Sequence, residues 1–167
     1  MNNGYCIIDA HCHIYPAKIA ARAAAGIGTF YRTKSACGGT AEELLRRADA
    51  CGIDRFIVES VATSAHQVRD INEFIAAEVA AAGGRFFGLG TLYPDSPDLV
   101  GDYRHLRELG LHGIKLHPDI QGFKIDDFRC LRIYEMCEAD GLPILMHTGD
   151  SRYDYSTPNR LIPILRI

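Results

Sequence analysis

Short apolar runs alternate along the chain with longer segments whose apolar residues recur every three or four positions. The short runs are rich in β-branched and aromatic residues and predict five strands, at 5–10, 53–59, 85–92, 112–116 and 142–146. The longer segments predict helices within 16–25, from Thr40 to about Cys51, at 67–82, 95–109 and 126–139, and from near Pro158 onward. This alternation is typical of βα units in a parallel sheet.

Two of the predicted strands, at 56–58 and 143–146, are apolar on both faces, as strands covered on both sides of a sheet should be. The turn after the first strand, at 11–16, lacks the glycines of a dinucleotide-binding doubly wound sheet. We therefore predict an α/β fold, a partial (β/α)8 TIM barrel with about five βα units. Residues 1–167 would form a single domain, the N-terminal part of a barrel whose strands six to eight are missing. A complete small five-stranded α/β domain is the alternative.

Composition narrows the range of partners. The 167 residues carry a formal net charge of −3 and no basic run, which argues against nucleic acid. No apolar stretch approaches the roughly 20 residues of a membrane helix, and the N-terminus does not resemble a signal peptide. We expect a cytoplasmic protein with a small-molecule substrate and no membrane partner. The sequence does not decide whether it forms a homo-oligomer.

The six cysteines include no Cys-x-x-Cys pair, which argues against a zinc ribbon or a thioredoxin motif. Four of them fall in apolar helix or strand patterns, namely Cys6, Cys51, Cys130 and Cys137. We expect these four to be small buried residues in a reducing compartment.

Candidate chemistry begins at the first strand, which leads into His11 and His13. Side chains two apart on a strand point to the same side, so the two imidazoles could chelate one divalent ion. Asp9 shares that face and could orient one ring, whereas Cys12 faces away. The later strands end in residues of similar chemistry: Glu59 on the second, Lys115 and His117 on the fourth, and His147 on the fifth. In a parallel barrel these ends meet at one face, where active sites lie.

Three segments carry a resemblance to a known family: 8–13 (Ile-Asp-Ala-His-Cys-His), 113–118 (Gly-Ile-Lys-Leu-His-Pro) and 142–149 (Leu-Pro-Ile-Leu-Met-His-Thr-Gly). With these three segments in this order, the chain resembles the amidohydrolase superfamily of metal-dependent hydrolases over nearly its whole length. The closest match is the amidohydrolase-related group (amidohydrolase 2), which also holds decarboxylases of aromatic and muconate acids. The resemblance implies that His11, His13 and His147 bind the metal. It also requires a His after strand six and an Asp after strand eight, which lie outside the 167 residues.

The resemblance leaves several roles open. Lys115 stands where two-metal members of the family have a carboxylated lysine that bridges the ions, so it is a candidate ligand and a candidate catalytic residue. It could instead pair with Glu59 or Asp150. His117 could contact substrate or cap the strand beside Pro118, and Glu59 could be catalytic or structural. The expected cofactor is a divalent metal, with zinc the first choice and manganese or iron as alternatives.

The leading hypothesis for function is a metal-dependent hydrolase in which metal-activated water attacks a C–N or C–O bond of a small molecule. The alternative from the same family is a metal-dependent carboxy-lyase. Two further hypotheses come from other functional classes: a Schiff-base lyase that uses Lys115, and an inactive barrel fragment.

Overall fold

The computed structural model describes residues 4–165, over which strands and helices alternate largely as predicted. The strands are β1 (Ile8–His13), β2 (Arg55–Glu59), β3 (Phe86–Gly88), β4 (Gly90–Thr91), β5 (Ile114–Leu116) and β6 (Ile144–Met146). The helices are α1 (Ala17–Tyr31), α2 (Ala41–Cys51), α3 (Val68–Ala81), α4 (Leu99–Glu108), α5 (Pro118–Gln121), α6 (Phe128–Ala139) and α7 (Leu161–Ile164). Short 3-10 turns span Ala65–Gln67 and Pro158–Arg160.

The strands form two three-stranded sheets, in the orders β1-β2-β3 and β4-β5-β6. Every pairing in both sheets is parallel, which confirms the prediction of βα units. The predicted third strand is divided: 86–88 pairs with β2, whereas 90–91 pairs with β5. The strand changes neighbours at Leu89, which lies between Gly88 and Gly90, and glycine inside a strand often marks such a bend.

The chain divides into two compact units, Met1–Ser60 with Phe74–Gly88, and Val61–Glu73 with Leu89–Ile167. In the first unit Phe56 and Phe86 meet edge to face with ring centroids 5.9 Å apart, on neighbouring strands. In the second unit the strand residues Ile114 and Leu116 are fully buried, as are Leu106 and Ile133 on two helices. Each unit therefore has buried apolar residues of its own.

The observed helix starts follow the capping residues. The Thr40 hydroxyl accepts from the Glu43 N–H at 3.2 Å, which confirms the predicted start of α2. The helix predicted from 95 begins instead after Asp98, which caps α4, and the helix predicted from 126 begins after Asp127, which caps α6. Within residues 4–165, no helix combines the length and the apolar character needed to cross a membrane.

The cysteines are all free, and the prediction for them is half wrong. Cys130 and Cys137 are buried, and burial raises the pKa of each thiol to about 12. Cys6 and Cys51 are exposed, because Cys6 precedes β1 and Cys51 ends α2, where apolar spacing no longer implies a core position.

Candidate metal centre

The first candidate centre consists of His11, His13 and Glu59, which we call the strand cluster. β1 extends to His13, three residues beyond its predicted end, so both histidines lie within the strand. His13 pairs in register with Glu59 at the end of β2. The Nε2 atoms of His11 and His13 are 3.2 Å apart, and Glu59 Oε1 lies 3.0 Å from the first and 3.7 Å from the second. The predicted common face of the two imidazoles is therefore present.

The donor set of the strand cluster fits a divalent metal ion. Two imidazole nitrogens and a carboxylate oxygen are ligands that zinc and other first-row metals accept. Metal–ligand bonds of about 2.0–2.2 Å place two ligand atoms of one ion no more than roughly 4.4 Å apart. The three distances within the strand cluster, 3.0, 3.2 and 3.7 Å, all fall inside that limit.

Glu59 differs from the two histidines in burial. Its side chain is fully buried, whereas the side chains of His11 and His13 are 47% and 32% exposed. A carboxylate in such a place is costly without positive charge nearby. Burial, followed by the charge of Glu59, raises the pKa of Tyr15. The Tyr15 ring also lies parallel to that of His13, with centroids 6.5 Å apart, which supports the orientation of the imidazole.

Two neighbours in β1 have clear roles. Asp9 Oδ1 accepts from the backbone N–H of His11 at 3.2 Å, so the described contact fixes the main chain rather than the imidazole. Cys12 is buried, as expected for a residue facing away from the histidines. Burial, reinforced by a hydrogen bond to Asp9, raises the pKa of its thiol to about 12. A neutral thiol is a poor metal ligand, which agrees with a packing role.

The second candidate centre, which we call the cap cluster, consists of His117, Asp119 and His147, whose ligand atoms lie within 4.8 Å of one another. His117 caps α5, a helix the sequence analysis missed: the Ile120 N–H is shared between the His117 carbonyl oxygen at 3.1 Å and Nδ1 at 3.3 Å. Of the two roles considered for His117, the structure shows capping, of a helix rather than of the strand. Its contact with substrate stays a prediction.

Gln121 holds the His117 backbone in place. Its side-chain oxygen accepts from the His117 N–H at 2.8 Å. Its amide group donates to the carbonyl oxygens of Ala62 and Leu92, at 3.0 and 2.9 Å. The end of β5 is therefore fixed by a buried side chain with three hydrogen bonds.

His147 follows β6 and stacks on His117, with ring centroids 3.9 Å apart and planes inclined by 10°. Its Nε2 lies 3.8 Å from Asp119 Oδ2, and the same oxygen accepts from the Ser156 hydroxyl at 2.6 Å. The sequence analysis missed both Asp119 and Ser156. A polar residue two positions after a candidate histidine was the signal for Asp119, but nothing local pointed to Ser156, 37 residues away.

Lys115 lies in the middle of β5, in register with Thr91 and Leu145, and is fully buried. Its predicted metal and catalytic roles stay predictions, as do those of Glu59 and His147. Asp150, one of its considered partners, pairs with Arg152 at 2.6 Å. Hydrogen bonds from the Arg152 side chain and backbone lower the pKa of the Asp150 carboxyl to about 2.

Comparison with known proteins settles the family. A family model described as amidohydrolase matches residues 8–166. The chain belongs to the amidohydrolase family. A decarboxylase from Dictyostelium discoideum, 2-amino-3-carboxymuconate-6-semialdehyde decarboxylase, is 33% identical over 79 residues, which are 46% of this chain and 22% of that protein.

Solved structures show the fold of this amidohydrolase chain. A 5-carboxyvanillate decarboxylase from Novosphingobium aromaticivorans, solved with bound manganese and 3-methoxy-4-hydroxy-5-nitrobenzoic acid, has a TM-score of 0.69 at 20% identity. The match covers 99% of this chain and 56% of that one. A probable 2-pyrone-4,6-dicarboxylic acid hydrolase from Acinetobacter baumannii, with citric acid bound, has a TM-score of 0.62 at 12% identity, covering 97% and 54%.

These likenesses confirm the predicted partial (β/α)8 barrel. The chain spans about half the length of the solved structures it matches, and less than a quarter of the Dictyostelium decarboxylase. The proteins that this chain resembles include decarboxylases and a probable hydrolase.

Proposed function

We propose that this chain carries the metal-binding part of a metal-dependent carboxy-lyase acting on a small carboxylated molecule. The observation that carries the metal proposal is the strand cluster, in which two imidazole nitrogens and a buried carboxylate oxygen converge within 3.7 Å. The choice of decarboxylation is supported by the decarboxylase that matches at 33% identity over 79 residues. The sequence motifs alone favoured hydrolysis over decarboxylation, and this proposal reverses that order.

The residues of the strand cluster define what the chain contributes. A bound divalent ion would supply positive charge that orients a carboxylated substrate and stabilises negative charge formed during the reaction. His11 and His13 would offer their Nε2 lone pairs, for which both rings must be neutral. Glu59 would offset part of the positive charge from a position shielded from water. Tyr15 would limit rotation of the His13 ring through its parallel contact.

The untested sequence predictions complete the proposal. His147 would be a further metal ligand. Lys115, in the middle of β5, would contact the substrate or the ion, and His117, which follows β5, would contact the substrate. We propose manganese or zinc as the ion: manganese is bound in the related decarboxylase structure, and zinc suits the imidazole-rich donor set.

Hydrolysis of a C–N or C–O bond is the second candidate. It is favoured by the structural likeness to a probable 2-pyrone-4,6-dicarboxylic acid hydrolase and by the amidohydrolase family itself. Both chemistries use a cation to stabilise negative charge on oxygen, so the same strand cluster serves either one.

The test is a substrate screen on metal-loaded protein, with aromatic and muconate-type carboxylic acids in one set and lactones, esters and cyclic amides in the other. Release of CO₂ that is lost in the His11→Ala/His13→Ala variant supports the carboxy-lyase. Metal-dependent ring opening or ester cleavage without CO₂ supports the hydrolase. An adduct trapped by borohydride on Lys115, formed equally well by the double variant, contradicts both.

A further inference from the structure

We infer that Ser156 and Asp119 are positioning residues that orient His147, so that its Nε2 carries the proton and its Nδ1 is the nitrogen presented to a metal ion. The inference rests on the proposed function, because it concerns His147 as a ligand. The three residues lie in the second compact unit and form a chain of contacts, from Ser156 Oγ to Asp119 Oδ2 at 2.6 Å and from that oxygen to His147 Nε2 at 3.8 Å.

The Asp119 side chain is buried, and one of its two carboxylate oxygens has no hydrogen-bond partner among residues 4–165. Its Oδ2 accepts from the Ser156 hydroxyl, whereas its Oδ1 is buried and has no hydrogen-bond partner among residues 4–165. A buried carboxylate oxygen without a donor costs free energy that a purely structural aspartate would avoid. The His147 imidazole is a candidate second donor to this carboxylate, with its Nε2 3.8 Å from Oδ2, the oxygen that also accepts from Ser156.

The geometry selects which nitrogen of His147 faces the carboxylate. Nε2 lies 3.8 Å from Asp119, about 0.9 Å beyond an ordinary N–H···O distance, so a modest ring rotation completes the hydrogen bond. The His147 side chain is 22% exposed, and its ring also contacts the stacked ring of His117. A carboxylate that accepts from one ring nitrogen fixes the proton there and leaves the lone pair on the other.

His117 supports this arrangement without acting as a third ligand. Its Nδ1 accepts from the Ile120 N–H, so the neutral ring carries its proton on Nε2 and has no second lone pair for a metal. The two rings are stacked with centroids 3.9 Å apart, so the in-plane lone pairs of His117 and His147 lie in different planes. The cap cluster is therefore better suited to orienting one imidazole than to holding an ion among three ligands.

Backbone hydrogen bonds in the segment after β6 place Ser156 next to Asp119. The Gly149 N–H donates to the Ser156 carbonyl oxygen at 3.2 Å, and the Ile125 N–H donates to the Tyr155 carbonyl oxygen at 3.1 Å. Ser156 itself is fully buried. These bonds hold the backbone at Tyr155 and Ser156, and the hydroxyl is directed by its own hydrogen bond to Asp119.

The experiment compares the wild-type protein with Asp119→Asn, Ser156→Ala and the control Glu73→Gln, which removes an exposed carboxylate 3.0 Å from His105. We expect Asp119→Asn to weaken binding of Mn²⁺ or Zn²⁺ about 10- to 100-fold, the usual cost of losing a hydrogen-bond partner of a ligating histidine. Ser156→Ala should weaken it less, and Glu73→Gln should not change it. Circular dichroism checks that each variant is folded.

The second measurement is the ¹⁵N NMR spectrum of labelled histidines in the metal-free protein, with His147→Gln to assign the signals. We expect His147 protonated on Nε2 in the wild type and a mixture of tautomers in Asp119→Asn. Unchanged metal affinity in Asp119→Asn, or a wild-type His147 protonated on Nδ1, overturns the inference. Two ions in the wild type and the complete loss of one in Asp119→Asn also overturn it, because Asp119 would then be a ligand. If the wild-type protein binds no metal, the proposed function fails and the tautomer alone decides the role of Asp119.

Discussion

The strand cluster and the cap cluster each join two histidines to one buried carboxylate, but they arrange these groups in opposite ways. In the strand cluster the two Nε2 atoms and Glu59 Oε1 converge on one point. In the cap cluster the rings are stacked, one ring caps a helix, and the carboxylate is already held by the Ser156 hydroxyl. Similar residue types therefore suit direct metal binding in one case and orientation of a ligand in the other.

The difference lies in the backbone that carries each set. The pairing of β1 with β2 shifts register between Asp9 and Cys12, and beyond that shift His11 and His13 lie on one face, with His13 paired to Glu59. The cap cluster depends on the turn from β5 into α5 and on a segment 37 residues away. A cluster whose residues alternate along a strand can thus be predicted from a sequence. A cluster that joins a helix cap to a distant loop cannot.

The largest expected effect comes from neutralising the strand cluster. Glu59→Gln should weaken Mn²⁺ or Zn²⁺ binding by more than the roughly 10- to 100-fold cost of losing an outer hydrogen-bond partner, because a ligand charge is removed. Isothermal titration with either ion measures this. Glu73→Gln is the matched control, since Glu73 lies equally close to a histidine, at 3.0 Å, but is 56% exposed. Equal metal affinities of Glu59→Gln and Glu73→Gln would contradict a specific role of Glu59 in metal binding.

The cap role of His117 predicts a loss of stability instead of a loss of metal. His117→Ala should lower the free energy of unfolding by about 1 kcal/mol, the usual cost of losing an N-cap. His117→Asn keeps a good cap and should restore most of that stability. Chemical denaturation measures both. A fall in metal affinity as large as that of Glu59→Gln would place His117 among the ligands and contradict the contrast drawn between the clusters.

The buried and the exposed cysteines should differ in thiol reactivity. Ellman's reagent should modify the exposed Cys6, Cys37 and Cys51 in the native protein and spare the buried Cys12, Cys130 and Cys137 until it unfolds. Cys12 is the informative residue, because it lies between the two histidines and its pKa is raised to about 12, which keeps the thiol neutral at pH 7. Rapid labelling of Cys12, identified by peptide mass spectrometry, would show that β1 does not present the alternation described.

The smallest effect concerns Asp150, in the segment that leads to Ser156. Arg152 lowers the pKa of Asp150 to about 2, so the pair stabilises the folded state above the ordinary carboxyl pKa of about 3.9. That contribution is lost as the pH falls through about 2. Arg152→Ala should return the Asp150 pKa toward its ordinary value, as followed by NMR titration. An unchanged pKa would mean that another group holds the charge.

The sequence predicted the order of strands and helices, the parallel pairing and the faces of His11 and His13, because all of these follow from local periodicity. It placed β1 too early, since His11 and His13 are polar and end the apolar run that defines the predicted strand. It missed α5, a four-residue helix too short for any periodic signal. Ser156 could not be found, because its meaning comes from a contact with Asp119 formed only in the folded chain.

The most direct test of the account is the metal content of the purified protein after exposure to excess Mn²⁺ or Zn²⁺ and removal of free ion, measured by mass spectrometry. The His11→Ala/His13→Ala variant is compared with His66→Ala/His105→Ala, which removes two histidines outside both clusters. We predict about one or two ions in the wild type and in the His66/His105 variant, with loss in the His11/His13 variant. Equal metal content in all three proteins, whether present or absent, would contradict the assignment of the strand cluster as a metal centre.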